Sequence, residues 1–228
     1  MIRLIGHRGT VGTEPENTLR SFRRAVADGA DELELDVRCS ADGHLVVVHD
    51  ATVDRTTDGT GPVAEHTLDA LRRLDAGHGE RVPTYLEVLA AVAVPIQTEV
   101  KELAAVGPLA TLLADPALAG RVTLASHHLD ILAALAEAMP SVPRALIVPR
   151  PGPDLVALAL SVKAEWVAPG LATLTEELMA ECRAAGLSVD TWPAPDPATL
   201  GRAIALGADA VTTDYPGVLR AWLNRQAG

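Results

Sequence analysis

Eight short apolar runs, each followed sooner or later by a stretch of helical periodicity, constrain this chain more than any other feature. The runs fall at 2–6, 32–37, 95–101, 122–126, 144–148, 165–169, 187–192 and 209–213. The helical stretches fall at 16–28, 84–93, 106–114, 129–138, 154–162, 175–185, 197–206 and 216–225. Local signals support these boundaries. Thr175 precedes Glu176 and Glu177, Asp196-Pro197 sets a proline at a first helical position, and Gly186 and Gly207 stand where helices stop. The alternation predicts a (β/α)₈ TIM barrel, with a doubly wound open sheet as the alternative. Either fold places a ligand site at the carboxyl ends of the strands. With 48% hydrophobic but only 3% aromatic residues, the core must be built from Ala, Val, Leu and Ile, which suits helices packed on a buried sheet. A length of 228 residues fits one such domain over 1–228.

One segment departs from simple alternation. Residues 32–50 read ELELDVRCSADGHLVVVHD, with a turn signal at Ala41-Asp42-Gly43 between two strand-like runs. A hairpin centred there extends the second strand and pairs residues whose numbers sum to about 85. Asp36 would then face His49 at the barrel mouth. Residues 51–83 follow as a polar, Gly-containing insertion at the C-terminal face. Loops of that length in a compact domain are usually functional or mobile.

Glu34 and Asp36 lie two apart on a strand and therefore share a face, while Leu33, Leu35 and Val37 take the other. Two bare carboxylates pointing into a barrel repel each other, so one carries a proton or a cation sits between them. The run Ile96–Lys101 repeats the pattern, with Gln97, Glu99 and Lys101 on one face. Glu99 is thus a third carboxylate at the same rim. Three oxygen ligands without Cys or His spacing suit one hard divalent cation, Mg²⁺ or Ca²⁺. Lys101 adds a positive charge beside them and also suits an ion pair with Glu99 or Glu34.

Gly6-His7-Arg8-Gly9 ends the first run. The glycines allow a sharp turn and a close approach, and arginine forks onto phosphates or carboxylates. His7 and His49 each end a strand-like run at the same mouth, where two imidazoles can serve as acid and base. His66 and His78 read as surface residues of the insertion; His127 and His128 follow the run 122–126, within reach of the rim, though the plainer reading is ordinary satisfied polar groups. Trp192 ends the seventh run, where its ring walls a ligand site or simply packs. Asp214 reads as the cap of the last helix.

A formal charge of −11 argues against a nucleic-acid partner and against stable association with anionic membranes. No run reaches eighteen apolar residues, so no membrane span is expected. The first strand starts without a basic-then-apolar leader. Cys39 and Cys182 show no metal-type spacing and read as reduced thiols of a cytoplasmic protein.

Taken together, the chain resembles the glycerophosphodiester phosphodiesterase family. The resemblance rests on His7-Arg8-Gly9, Pro15-Glu16-Asn17-Thr18, Glu34-Leu35-Asp36, His49-Asp50 and Asp54-Arg55-Thr56-Thr57-Asp58-Gly59-Thr60-Gly61, and continues through Glu99-Val100-Lys101 and Thr213-Asp214-Tyr215-Pro216. It implies a TIM barrel with one divalent cation held by Glu34, Asp36 and Glu99. It further implies acid–base catalysis by His7 and His49, and Arg8 and Lys101 near the phosphate. The expected reaction is hydrolysis of a small glycerophosphodiester to glycerol 3-phosphate and an alcohol. The family's insertion, residues 51–83 here, is short. The family often carries Trp-Thr-Val-Asn at the end of the seventh strand, and this chain has Trp192-Pro193-Ala194-Pro195. That departure bears on the specificity for glycerol or for the leaving alcohol. Two other readings use the same residues: a phospholipase D-type enzyme acting on lysophospholipids, and a catalytically silent barrel that binds phosphorylated ligands.

Overall fold

The computed structural model describes residues 2–150, 152 and 154–227. Nine strands form one sheet: β1 Arg3–Gly6, β2 Glu32–Cys39, β3 Leu45–Val47, β4 Ile96–Val100, β5 Val122–Ser126, β6 Arg144–Val148, β7 Trp166–Pro169, β8 Ser188–Thr191 and β9 Ala210–Thr213. Their order is β1-β9-β8-β7-β6-β5-β4-β2-β3, and a further β1–β2 pairing closes eight parallel strands into a barrel. The expected TIM barrel is therefore what forms, and the open sheet is not.

The helices are α1 Leu19–Ala27, α2 Leu68–Leu71, α3 Tyr85–Ala91, α4 Val106–Leu112, α5 Pro116–Ala119, α6 Leu129–Ala138, α7 Leu155–Ser161, α8 Glu176–Ala184, α9 Pro197–Leu206 and α10 Pro216–Ala227. Several starts are fixed by side chains that satisfy orphan backbone N–H groups. Thr175 accepts from Leu178 N, Asp196 accepts from Thr199 N with Pro197 in the first turn, and Thr84 and Glu87 form a reciprocal box. Gly207 ends α9 in the left-handed conformation, φ +80°.

The main core lies between barrel and helices. Leu33, Leu35 and Val37 are fully buried against it, and so is Phe22, the only phenylalanine. Each such burial contributes about 2 kcal/mol. The outward face of β2 is thereby apolar, and the inward face is left to Glu34 and Asp36.

The hairpin extension is present, with β3 antiparallel to β2, but its register is one residue from expectation. Val37 pairs with Val47, Arg38 with Val46 and Cys39 with Leu45, so numbers sum to 84. Asp36 therefore stands opposite Val48, whose N–H donates to the Asp36 carbonyl at 3.1 Å, and not opposite His49. The cause is the turn: Ser40 N–H donates to His44 O at 2.9 Å, leaving a three-residue loop with Gly43 at φ +81°. Residues 51–83 hold more structure than an open loop. Val53, Val63, Leu71, Ala76 and Val82 form a second apolar cluster with Val46 and Val48 of the hairpin.

Candidate active site

Register explains how the acidic side chains meet. On the adjacent parallel strands β2 and β4, Asp36 pairs with Glu99 and Glu34 with Gln97. Glu34, Asp36 and Glu99 each offer a carboxylate oxygen within 4.8 Å of the others. All three are shielded from solvent: Asp36 is fully buried, Glu34 is 5% exposed, and the Glu99 side chain 12%. Burial and the neighbouring Asp36 push the Glu34 carboxyl up to about 8. Burial also opposes ionisation of Glu99, yet the His127 hydrogen bond and the Lys101 charge hold its carboxyl below the usual range.

The positive groups come from three directions. Lys101 Nζ lies 2.7 Å from Glu99 Oε2 and 2.9 Å from Asp36 Oδ1. Arg8 Nε is 3.4 Å from Asp36 Oδ2, its Nη1 donates to Glu16 at 2.8 Å, and its backbone N–H donates to Glu34 at 3.0 Å. Asn17 Nδ2 donates to Asp36 Oδ2 at 2.8 Å. The turn that presents Arg8 requires Gly9, at φ +87°, because a Cβ there would lie 2.3 Å from Ser21 Oγ.

Two histidines flank the cluster, each anchored through Nδ1. His7 N–H extends the β1–β9 ladder by donating to Thr213 O at 3.0 Å, which sets the ring beside Asp214. His7 Nδ1 and Asp214 Oδ1 are 2.6 Å apart, and Nε2 lies 4.0 Å from Glu34. Burial works to lower the His7 pKa, but the Asp214 hydrogen bond and the Glu34 charge raise it overall. His49 Nδ1 lies 2.7 Å from Asp50 Oδ1, and Arg38 Nε donates to the His49 carbonyl at 3.0 Å. Asp50 is in turn held by Arg55 through two bonds of 2.7 and 3.0 Å, which keeps its carboxyl well below the usual range. Arg55 also grips Glu16 through two bonds, 2.7 and 2.9 Å, and Glu16 is the partner of Arg8.

These groups open on a cavity of about 320 Å³ lined also by Ile147, Ala168 and Trp192. The Trp192 ring faces this cavity and its Nε1 donates to Ala168 O at 3.1 Å. Of the residues singled out in the sequence, His7, Arg8, Glu34, His49, Glu99, Lys101 and Trp192 line it, and Asp36 lies directly behind. Two expectations are corrected. Asp214 does not spend its carboxylate on capping the last helix; Thr213 Oγ1 accepts the Tyr215 N–H there, and Asp214 turns to His7. His127 is no bystander, since its Nδ1 sits 2.9 Å from Glu99 Oε1 at the cavity wall. His128 packs its ring against His127, with centroids 3.9 Å apart.

The residues fit a hard divalent cation. The donor set is all oxygen, three carboxylates crowd one volume, and the buried Asp36 Oδ1 has no aligned hydrogen-bond donor although Lys101 is near. A cation at this place relieves the repulsion that raises Glu34.

Deeper in the barrel, burial pushes the Asp190 carboxyl up to about 7. The folded chain keeps this proton up to about pH 7, whereas an unfolded aspartate releases it near pH 3.9. The stability tied to this group is complete below that lower pH and is lost as pH rises through about 7. Asp190→Asn should therefore gain on the parent in thermal unfolding as pH goes from 5 to 8, by on the order of a few kcal/mol. A difference that stays flat over this range would count against the buried, titrating carboxyl.

Comparison with known proteins bears on what this cavity does. The chain matches the model of the glycerophosphoryl diester phosphodiesterase family over residues 7–218. It is 32% identical over 231 residues to the glycerophosphodiester phosphodiesterase of Caldanaerobacter subterraneus subsp. tengcongensis, covering 95% of each chain. A phosphodiesterase from Oleispira antarctica, solved in complex with the product sn-glycerol-3-phosphate, superposes with a TM-score of 0.91 at 25% identity, over 97% of this chain and 96% of that one. The glycerophosphodiester phosphodiesterase of Agrobacterium tumefaciens superposes with a TM-score of 0.80 at 27% identity, over 97% and 100%.

Proposed function

The chain belongs to the glycerophosphoryl diester phosphodiesterase family and is a phosphodiesterase of that class; from this premise we propose a metal-dependent, two-histidine hydrolysis of glycerophosphodiesters to glycerol 3-phosphate and an alcohol. One observation carries the reading: three carboxylates gather at the wall of one cavity, beside two imidazoles each oriented by its own aspartate.

Glu34, Asp36 and Glu99 would hold one Mg²⁺ or Ca²⁺, which when bound supplies Lewis-acid neutralisation of phosphate charge. Arg8 and Lys101 add charge-assisted donors for the phosphate oxygens. Asp214 and Asp50 fix Nδ1–H on their imidazoles, so Nε2 of each ring is the free end. One Nε2 takes a proton from the nucleophile, and the other gives one to the departing alkoxide. Trp192 and Ile147 wall the bound diester from solvent. The two buried thiols, Cys39 and Cys182, suit the reducing cytoplasm we assign to the protein. Among the described residues no helix is long and apolar enough to cross a membrane.

Product analysis tests the reading. With Mg²⁺ or Ca²⁺, glycerophosphocholine and glycerophosphoethanolamine should each yield glycerol 3-phosphate and the free alcohol. Turnover confined to a lysophospholipid in the same panel would replace this substrate class with the lipid one.

A further inference from the structure

Each carboxylate of the cluster has one oxygen committed to an uncharged donor of the protein. Glu34 Oε2 accepts the Arg8 backbone N–H at 3.0 Å, and Asp36 Oδ2 accepts Asn17 Nδ2 at 2.8 Å. Glu99 Oε1 stands 2.9 Å from His127 Nδ1. An ionised carboxylate only accepts, so that nitrogen carries the proton and donates. The three donors come from the turn after β1, the segment before α1 and the loop after β5. The twin oxygens are held differently. Glu34 Oε1 has no hydrogen-bond partner among the described residues, and the buried Asp36 Oδ1 has no aligned donor. Glu99 Oε2 meets the Lys101 ammonium at 2.7 Å, and an oxygen with two lone pairs keeps one for a second partner.

That pattern decides how many atoms the cluster presents to a cation. With one oxygen of each carboxylate held back, three residues present three atoms, and water and substrate oxygens fill the rest of the shell. Mg²⁺ suits such a site, because it is small, demands a near-regular octahedron and keeps several waters. Ca²⁺ is larger, takes about six to eight oxygens and gains from a carboxylate that gives both of its own. Two of the three donors are fixed by the fold, since one is a backbone N–H and Asn17 is 4% exposed. The third is not. The His127 side chain is 45% exposed and rests on the ring of His128. Glu99 is therefore the carboxylate whose mode of ligation depends on a replaceable side chain.

We propose that His127 is a positioning residue for the cation: by holding Glu99 Oε1 it limits Glu99 to one ligating oxygen and tunes the cluster to Mg²⁺ over Ca²⁺. This rests on the cation of the function proposed above, and it adds the ion's identity and the residue that sets it.

Calorimetry on the full chain, freed of bound cations and without substrate, tests this. MgCl₂ and CaCl₂ are titrated separately into the parent, His127→Phe and His127→Asn. Phenylalanine keeps a ring against His128 and removes the donor, whereas asparagine offers its Nδ2 near the place of the imidazole Nδ1. The parent should bind Mg²⁺ more tightly than Ca²⁺. His127→Phe should move the ratio of the two dissociation constants toward Ca²⁺ by about tenfold or more, and His127→Asn should stay within about threefold of the parent ratio. Should the phenylalanine variant not fold, His127→Ala takes its place. A side chain that merely supported the loop would weaken both cations alike and leave the ratio in place, which overturns the proposal. A parent that prefers Ca²⁺ overturns it too, as does an asparagine variant that moves as far as the phenylalanine one. A parent that binds neither cation removes the metal from the function proposed above as well, whereas binding with an unmoved ratio removes this inference alone.

Discussion

Alanine in place of His49 is expected to lower kcat for glycerophosphocholine by about 10²–10⁴-fold, and alanine in place of His7 by a similar factor. Each ring is held by a carboxylate at 2.6–2.7 Å, so neither has to find its orientation during the reaction. On the proposed mechanism, proton transfer from a placed imidazole is the contribution that alanine removes. Neither ring belongs to the carboxylate cluster, so cation binding, read as a rise in melting temperature, should remain near that of the parent. Asp214→Asn keeps the His7 ring but weakens its anchor, and a smaller loss of kcat is expected. Full activity in either alanine variant would end the assignment of that histidine.

Removal of the divalent cation is expected to have the larger effect, with hydrolysis falling to background in EDTA and returning on addition of Mg²⁺ or Ca²⁺. A cation present at a hundredfold excess over its dissociation constant stabilises the folded chain by about 2.7 kcal/mol. A matching rise in melting temperature should be measurable in the parent and lost in Asp36→Asn and Glu34→Gln. The metal-free proteins should behave in the opposite sense. Without the cation the Glu34 carboxyl already keeps its proton near neutral pH, so Glu34→Gln removes no charge there and should melt no lower than the parent in EDTA. Unchanged hydrolysis in EDTA would take the cation out of the scheme.

The barrel was legible because its strands are short apolar runs bounded by recognisable helix signals. The runs at 122–126 and 144–148 coincide with β5 and β6, and the others differ by at most two residues at either end. The parity of Glu34, Asp36 and Glu99 was legible for the same reason, since a two-residue period assigns faces before any partner is known. What sequence alone hid are partners from opposite ends of the chain. Asp214 stands 207 positions from His7, and the local rule that aspartates cap helices pointed to the wrong role. His127 was half legible: its place after the run 122–126 sets it within reach of the rim, but nothing in its own neighbourhood announces Glu99. The hairpin slipped by one because the turn signal fixes the loop's place but not its length. Asp190 carried a signal that went unread: it shares parity with Trp192 on one strand, so both had to face the interior.

Arg55 belongs to the insertion yet holds Asp50 with one part of its guanidinium and Glu16 with another. Asp50 orients His49, and Glu16 grips Arg8. A lysine at this position would keep the charge and lose the fork. Damage at Arg55 and damage at Asp50 break the same arrangement, so the double replacement should cost less than the two singles added together. Five side chains thus behave as one unit, so a change at Arg55, out in the insertion, is felt at once by the ring of His49 and the guanidinium of Arg8.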